Sequence, residues 1–351
     1  MKRLFSLSAA VLALGVIMAL AGCEGPTGPE GREGESGTSE CFQCHSENSG
    51  LLAIENQYDH SVHAAGENIN RNFPPCSRCH THEGFIAQLE TGSPGTPANP
   101  SPIHCFTCHL PHTSGNFNLR TQAPVTFLLG GVFDRGHGNL CANCHQARVP
   151  NPRIAAAPDS TNITSDRWGP HHSSQSSMLA GTGGYEFAGF EYENSPHTVA
   201  VINGCPSCHM ATPVGAKAGG HSMNLTYDDN GEEADLVTGC NAEDCHYGAI
   251  EDFSVGGVQA EVELLMEDLH SILVARGILD AMDGLPVEGK YSEAEAGALY
   301  NFLFVEGDRS DGIHNTDYAV ALLESSLAKL GATAPLSENF IARNEVRRFF
   351  R

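Results

Sequence analysis

The 351-residue sequence is poor in aromatic side chains, with one Trp and only 7% Phe, Trp and Tyr together. Hydrophobic residues make up 40%, a little under the usual share, so a core built from protein side chains alone would be thin. Basic residues are scarce too: 19 Lys and Arg face 42 Asp and Glu, for a formal net charge of −23. That deficit excludes nucleic acid as a partner and argues against docking on an anionic lipid surface, because both would repel the chain. The apolar run Leu4–Leu20 is followed at once by Gly, Pro and Glu, which argues against a retained membrane helix. In excess are 13 Cys and 18 His, and their arrangement carries the functional reading.

Residues 1–22 read as an export signal, with Lys2 and Arg3 ahead of the apolar stretch and small residues at its end. Leu20-Ala-Gly-Cys23 resembles the bacterial lipobox, which implies acylation of Cys23 and a membrane-anchored lipoprotein, on the periplasmic face or at the outer membrane and cell surface. Glu24, in place of Asp, leaves export to the outer membrane open. Loss of Lys2 and Arg3 takes the charge from −23 to −25. Residues 23–40 carry Gly25, Gly28, Gly31, Gly34 and Gly37 at a strict period of three. The pattern is collagen-like, but so few triplets read as a solvated tether.

The other twelve Cys fall into six pairs, each followed directly by His. Five have C-x-x-C-H spacing. They are Cys41 and Cys44 with His45, Cys76 and Cys79 with His80, Cys105 and Cys108 with His109, Cys141 and Cys144 with His145, and Cys205 and Cys208 with His209. The sixth, Cys240 and Cys245 with His246, has four residues between its Cys. This is the pattern of covalent c-type haem attachment, in which two thiols add to the haem vinyl groups and the next His lies under the iron. A redox disulfide or half a zinc site explains one C-x-x-C, and exported disulfide scaffolds exist. Neither explains six consecutive pairs each ending in His with none left over. The expected cofactors are therefore six c-type haems, with no disulfide.

Twelve further His remain: His60, His63, His82, His104, His112, His137, His171, His172, His197, His221, His270 and His314. Two for every proximal His favours six-coordinate iron, suited to moving electrons rather than binding substrate. The stretches Gly138–His145, Trp168-Gly-Pro-His-His172, Asn194-Ser-Pro-His197, Gly219-Gly-His221 and Gly312-Ile-His-Asn315 resemble the multihaem superfamily that contains ammonia-forming nitrite reductases and octahaem cytochromes. Ser61-Val-His-Ala64 and Cys105–His112 are similar to other multihaem patterns. The resemblance nominates His63, His112, His172, His197, His221 and His314 as distal ligands. By analogy of chain order it pairs His221 with the haem on Cys141 and Cys144, His314 with that on Cys205 and Cys208, and His197 with that on Cys240 and Cys245. His137 stays ambiguous. The chain lacks the C-x-x-C-K site of those reductases, so the resemblance implies fold and haem packing rather than their activity.

The expected fold is mainly α with extensive loops and little β, its core built around stacked haems. Residues 41–250 would form the hexahaem domain and 251–351 a helical segment packed on it. The Gly-rich Met178–Tyr192 segment, with Phe187 and Phe190, is expected to pack against porphyrin. The acidic run Asp228–Asp235 reads as a solvated loop; calcium there is disfavoured because EF-hand spacing is absent. Val258, Val262, Leu265, Leu269 and Ile272 predict one helix, and Gly277 its end. Ser292 and Glu295 form a capping box for a second helix ending near Glu306. Ala319, Leu322, Leu323, Ser326, Leu327 and Leu330 predict a third, stopped by Gly331.

The sequence thus reads as an exported, lipid-anchored hexahaem cytochrome carrying electrons by haem-to-haem hopping, with no catalytic residue assigned. Its partners would be other redox proteins, extracellular acceptors or minerals. Two alternatives stand: a subunit of a polymeric cytochrome filament, and a reductase of nitrite, hydroxylamine or a similar small oxyanion.

Overall fold

The computed structural model describes residues 49–66, 68–110, 117–242, 245–246 and 248–332. The export signal, the tether with Cys23 and the expected ligand His112 lie outside these residues. So does the whole first attachment motif: Cys41, Cys44 and His45.

Between residues 49 and 246 the described residues form short helices joined by long loops, as their Gly, Pro, Asn and Ser content dictates. They are α1 (Ser49–Asp59), α2 (Ser77–His80), α3 (His82–Thr91), α4 (Cys105–Cys108), α5 (Gly138–Ala142), α6 (Gln175–Leu179), α7 (His197–Ala200) and α8 (Pro206–His209). Three longer helices follow: α9 (Val258–Ala275), α10 (Glu293–Asp308) and α11 (Thr316–Lys329). Strand content is small. The antiparallel pairs are β1 (Val125–Thr126) with β2 (Val132–Phe133), β3 (Thr161–Ile163) with β6 (Gly289–Tyr291), and β4 (Thr226–Asp229) with β5 (Glu232–Asp235). Among the described residues no helix is long and apolar enough to cross a membrane.

The late helices follow the sequence pattern closely. In α9, Val262, Leu265, Leu269 and Leu273 are buried, and Gly277 at φ +66° ends the run. Ser292 caps α10 reciprocally with Glu295: the Glu295 carboxylate accepts from the Ser292 N–H at 2.9 Å, and Ser292 Oγ accepts from the Glu295 N–H at 3.4 Å. Helix α10 is buried around most of its girth, so it shows no apolar stripe and only its cap is legible in sequence. Together α9, α10 and α11 build the main apolar core, which also takes in Ala147, Ile163, Trp168 and Met178 from earlier in the chain. A smaller cluster holds Val125, Phe127, Phe133, Ala142 and Leu179. Among the described residues, none between 49 and 124 belongs to either cluster, and Phe85 is buried singly.

Two expectations are corrected. Phe187 is buried against α10, where an added Cβ at Gly297 would lie 2.6 Å from the Phe187 and Tyr185 rings. A glycine on the central helix makes the slot that Phe187 fills, so the 178–192 segment packs there on protein. The acidic run Asp228–Asp235 is not a loop but the β4–β5 hairpin. Asn230 and Gly231, at φ +60° and +95°, supply the left-handed turn that a two-residue hairpin needs. Among the described residues no three His, Cys, Asp or Glu side chains converge as a metal cage would require.

Candidate functional site: five histidine pairs

Each described C-x-x-C-H motif is wound into a single helical turn. The His N–H bonds back to the carbonyl of the first Cys: His80 to Cys76 (3.2 Å), His109 to Cys105 (2.9 Å), His145 to Cys141 (2.9 Å) and His209 to Cys205 (2.9 Å). This i→i−4 bond gathers two thiols and one imidazole into a compact set. The longer sixth motif closes in the same way, His246 N–H to the Cys240 carbonyl at 3.0 Å. Its extra residues do not move its ends apart.

The described thiols differ in exposure. Cys245 and Cys105 are exposed, whereas Cys76, Cys79, Cys108, Cys141, Cys144, Cys205, Cys208 and Cys240 are partly covered. The first motif, with Cys44 and His45, falls outside the described residues, so no second ring is assigned to His45.

Opposite each of the five described motif His lies a second imidazole. The ring centres are 6.0 Å apart for His63 and His145, 6.1 Å for His80 and His171, 6.1 Å for His109 and His221, 6.2 Å for His197 and His246, and 6.3 Å for His209 and His314. A ring nitrogen about 1.1 Å from its ring centre and a metal–nitrogen bond of about 2.0 Å put two imidazoles sharing one metal about 6.2 Å apart. All five pairs match that spacing. His82 and His104 do not: their centres are 4.1 Å apart, stacked in contact, and Thr107 Oγ1 bonds to His82 Nδ1 and accepts from the His104 N–H.

Local structure places the second ring of each pair. His63 sits in a 3₁₀ turn, Val62–Ala65, capped by Ser61 Oγ. His171 stands at φ +69° in a loop whose start is fixed by the Trp168 indole N–H, which donates to the Pro152 carbonyl at 2.8 Å. The His221 backbone N–H donates to Gln57 on α1 at 3.1 Å. His197 begins α7, and its Nδ1–H donates to the Ile313 carbonyl at 2.7 Å. His314, one residue on from Ile313, donates from Nδ1 to the buried Asp308 carboxylate at 2.8 Å. Asn315 ties the two together: its carbonyl oxygen accepts from the Ser195 N–H at 2.9 Å, and its amide donates to the Met178 carbonyl and to Asn194.

Burial lowers the pKa of His63 and His171 to about 4, and lowers those of His80, His145, His209 and His221. These rings are neutral at pH 7, the form that ligates a metal. His314 differs. Burial lowers its pKa, but the charge of Asp308 and the hydrogen bond to it outweigh burial, and the net shift is upward.

The surroundings fit a large, flat, partly polar group at these pairs. Val62, beside His63, is 82% exposed, and Val199 and Ile202, beside His197, are 74% and 76% exposed. Such apolar side chains ask for a cover. Ser195 Oγ and Thr198 Oγ1, flanking His197, and Arg120 Nε, near Cys108, are buried donors without a protein partner. A group with an apolar face and carboxylate edges satisfies both kinds of neighbour. The motifs also adjoin one another. The Cys79 thiol lies close to Cys144, and the Cys141 thiol close to Cys205. Cys108 lies near Cys141, and Cys208 near both Cys240 and Cys245. The five described attachment motifs thus form one connected series, with the motif of Cys105 and Cys108 as a branch.

The arrangement differs in two places from the order suggested by resemblance. His221 faces His109, and the ring facing His145 is His63. His171 faces His80, while its neighbour His172 packs edge-on against the His171 ring at 5.7 Å. His314 faces His209 and His197 faces His246, in the order suggested.

In fold, the chain is similar to a solved cytochrome structure. That structure is "Crystal Structure of Outer Cell Wall Cytochrome OcwA", with a TM-score of 0.52 and 24% sequence identity over 78% of this chain. The match takes in 49% of that chain, so this protein spans about half its length. No family model matches the sequence, and no curated protein does.

Proposed function

We propose that the protein is an exported, lipid-anchored hexahaem c-type cytochrome that carries electrons between redox partners at the cell envelope or surface. The observation that carries this reading is the set of five histidine pairs at single-metal spacing, each beginning on a Cys-pair motif. Haem, when bound, supplies a one-electron iron couple at each site. The chain's own groups do the rest. Cys76 with Cys79, Cys105 with Cys108, Cys141 with Cys144, Cys205 with Cys208, and Cys240 with Cys245 would hold the macrocycles as thioethers. Cys41, Cys44 and His45 would form the sixth station. His80, His109, His145, His209 and His246 would ligate from one side, and His171, His221, His63, His314 and His197 from the other. At the five described sites, a ring on each side would leave no position for a substrate, which favours a carrier over a reductase. The thiol contacts between motifs support transfer between neighbouring stations.

A pyridine haemochrome assay on protein made with the c-type maturation machinery is expected to give six haems per chain, with a wholly low-spin oxidised spectrum. Clearly fewer haems would overturn the stoichiometry, and a high-spin component would overturn the carrier assignment. The choice between adjacent histidines is tested separately. His171→Ala is expected to turn one haem high-spin, whereas His172→Ala leaves all of them low-spin. The reverse result reassigns the ligand.

A further inference from the structure

The five histidine pairs are alike in spacing but not in the charge behind them. His109 Nδ1–H donates to the Phe117 carbonyl at 2.7 Å, His197 to the Ile313 carbonyl at 2.7 Å, His209 to the Met223 carbonyl at 3.0 Å and His145 to Gln175 Oε1 at 3.2 Å. All four acceptors are neutral. His314 Nδ1 instead meets Asp308 Oδ1 at 2.8 Å, and Asp308 is only 2% exposed. Ser310 Oγ donates to the other carboxylate oxygen. Among the described residues no Lys or Arg pairs with Asp308. The partly buried Asp311 lies close enough to feel its charge. The pair of His80 and His171 has the opposite setting, with the Arg71 and Arg148 guanidiniums acting on its rings.

A carboxylate accepting the Nδ1 proton makes an imidazole a stronger electron donor to its metal. A buried negative charge also favours whichever state of the metal is more positive, and poor screening keeps that preference large. Both effects stabilise ferric over ferrous iron. Resting on the electron-carrier reading, we propose that Asp308 makes the site of His209 and His314 the lowest-potential of the five whose histidine pairs are described. That site adjoins the motif of Cys141 and Cys144 on one side and that of Cys240 and Cys245 on the other. Asp308 therefore acts as a positioning and tuning residue that sets the driving force at this junction.

The test is potentiometric titration of the full haem-loaded chain, followed by low-temperature electron paramagnetic resonance. Asp308→Asn keeps the shape and an acceptor oxygen but removes the charge. Its lowest-potential transition is expected to rise by at least tenfold in redox equilibrium, about 59 mV for one electron, while the other transitions hold. Ser310→Ala removes the hydroxyl that draws density from the carboxylate, and the same transition is expected to fall. A merely structural loss would not move the two variants in opposite directions. An Asp308→Asn protein with all its haems and an unchanged lowest transition overturns the proposal. Should that variant fail to assemble, Ser310→Ala decides: a lower transition supports the proposal, and an unchanged or higher one overturns it. A wild-type haem count that falls short signals instead that the carrier reading has failed.

Discussion

Produced in cells that cannot attach haem, the chain is expected to lose ordered structure over residues 49–124 while α9, α10 and α11 remain protected. Hydrogen exchange or limited proteolysis read by mass spectrometry would show a steep division between the two regions. The reason lies in where apolar side chains meet. Leu269, Leu273, Leu299, Phe304, Tyr318, Leu322 and Leu323 are all essentially inaccessible in the late core. No residue between 49 and 124 joins an apolar cluster among the described residues. Short helices such as α2 and α4, one turn each, cannot persist without tertiary support. Their support has to come from a bound group, as in small metal-dependent domains. Uniform protection along the apo-chain would refute this division.

Asn315→Ala is expected to combine a large stability loss with damage at two sites. The Asn315 side chain is fully buried and serves the backbone N–H groups of Ser195 and Tyr318, the Met178 carbonyl and the Asn194 side chain. Truncation leaves several buried polar groups without partners, a cost of about 3–5 kcal/mol. The same cut frees the loop carrying His197 from the segment carrying His314. Denaturant unfolding should show the stability loss, and the oxidised spectrum should show two disturbed haems instead of one. A control, Asn241→Ala, removes bonds to the Ile250 backbone, an anchor outside that segment. It should leave the site of His209 and His314 unchanged.

The parts of this molecule legible in the sequence are those fixed by near neighbours in the chain. Cysteine spacing declares an attachment turn because one i→i−4 bond closes it. Val262, Leu265 and Leu269 declare α9 because one helical period sets their common face. The Ser292–Glu295 box declares the start of α10 for the same reason. The pairing of rings is different. His63 and His145, or His109 and His221, meet only through the path of the intervening loops, and no local spacing records that path. His171 and His172 are adjacent and chemically identical, and a single left-handed backbone residue decides which one faces His80. Asp308 escaped notice because five residues of irregular chain separate it from His314, with no periodicity to link them. The β4–β5 hairpin could have been found: Asn230-Gly231 is a strong turn signal that the surrounding acidity obscured.

The bond from the His246 N–H to the Cys240 carbonyl bears on how such chains can diversify. It closes the longest attachment loop with the same contact that closes the four shorter ones among the described residues. Residues inserted between the two Cys therefore leave the anchoring histidine in its place. Natural drift can lengthen such a loop, and surface features can be added there, without dismantling the station it encloses. By this route new recognition elements can arise beside a redox centre while its ligands stay fixed.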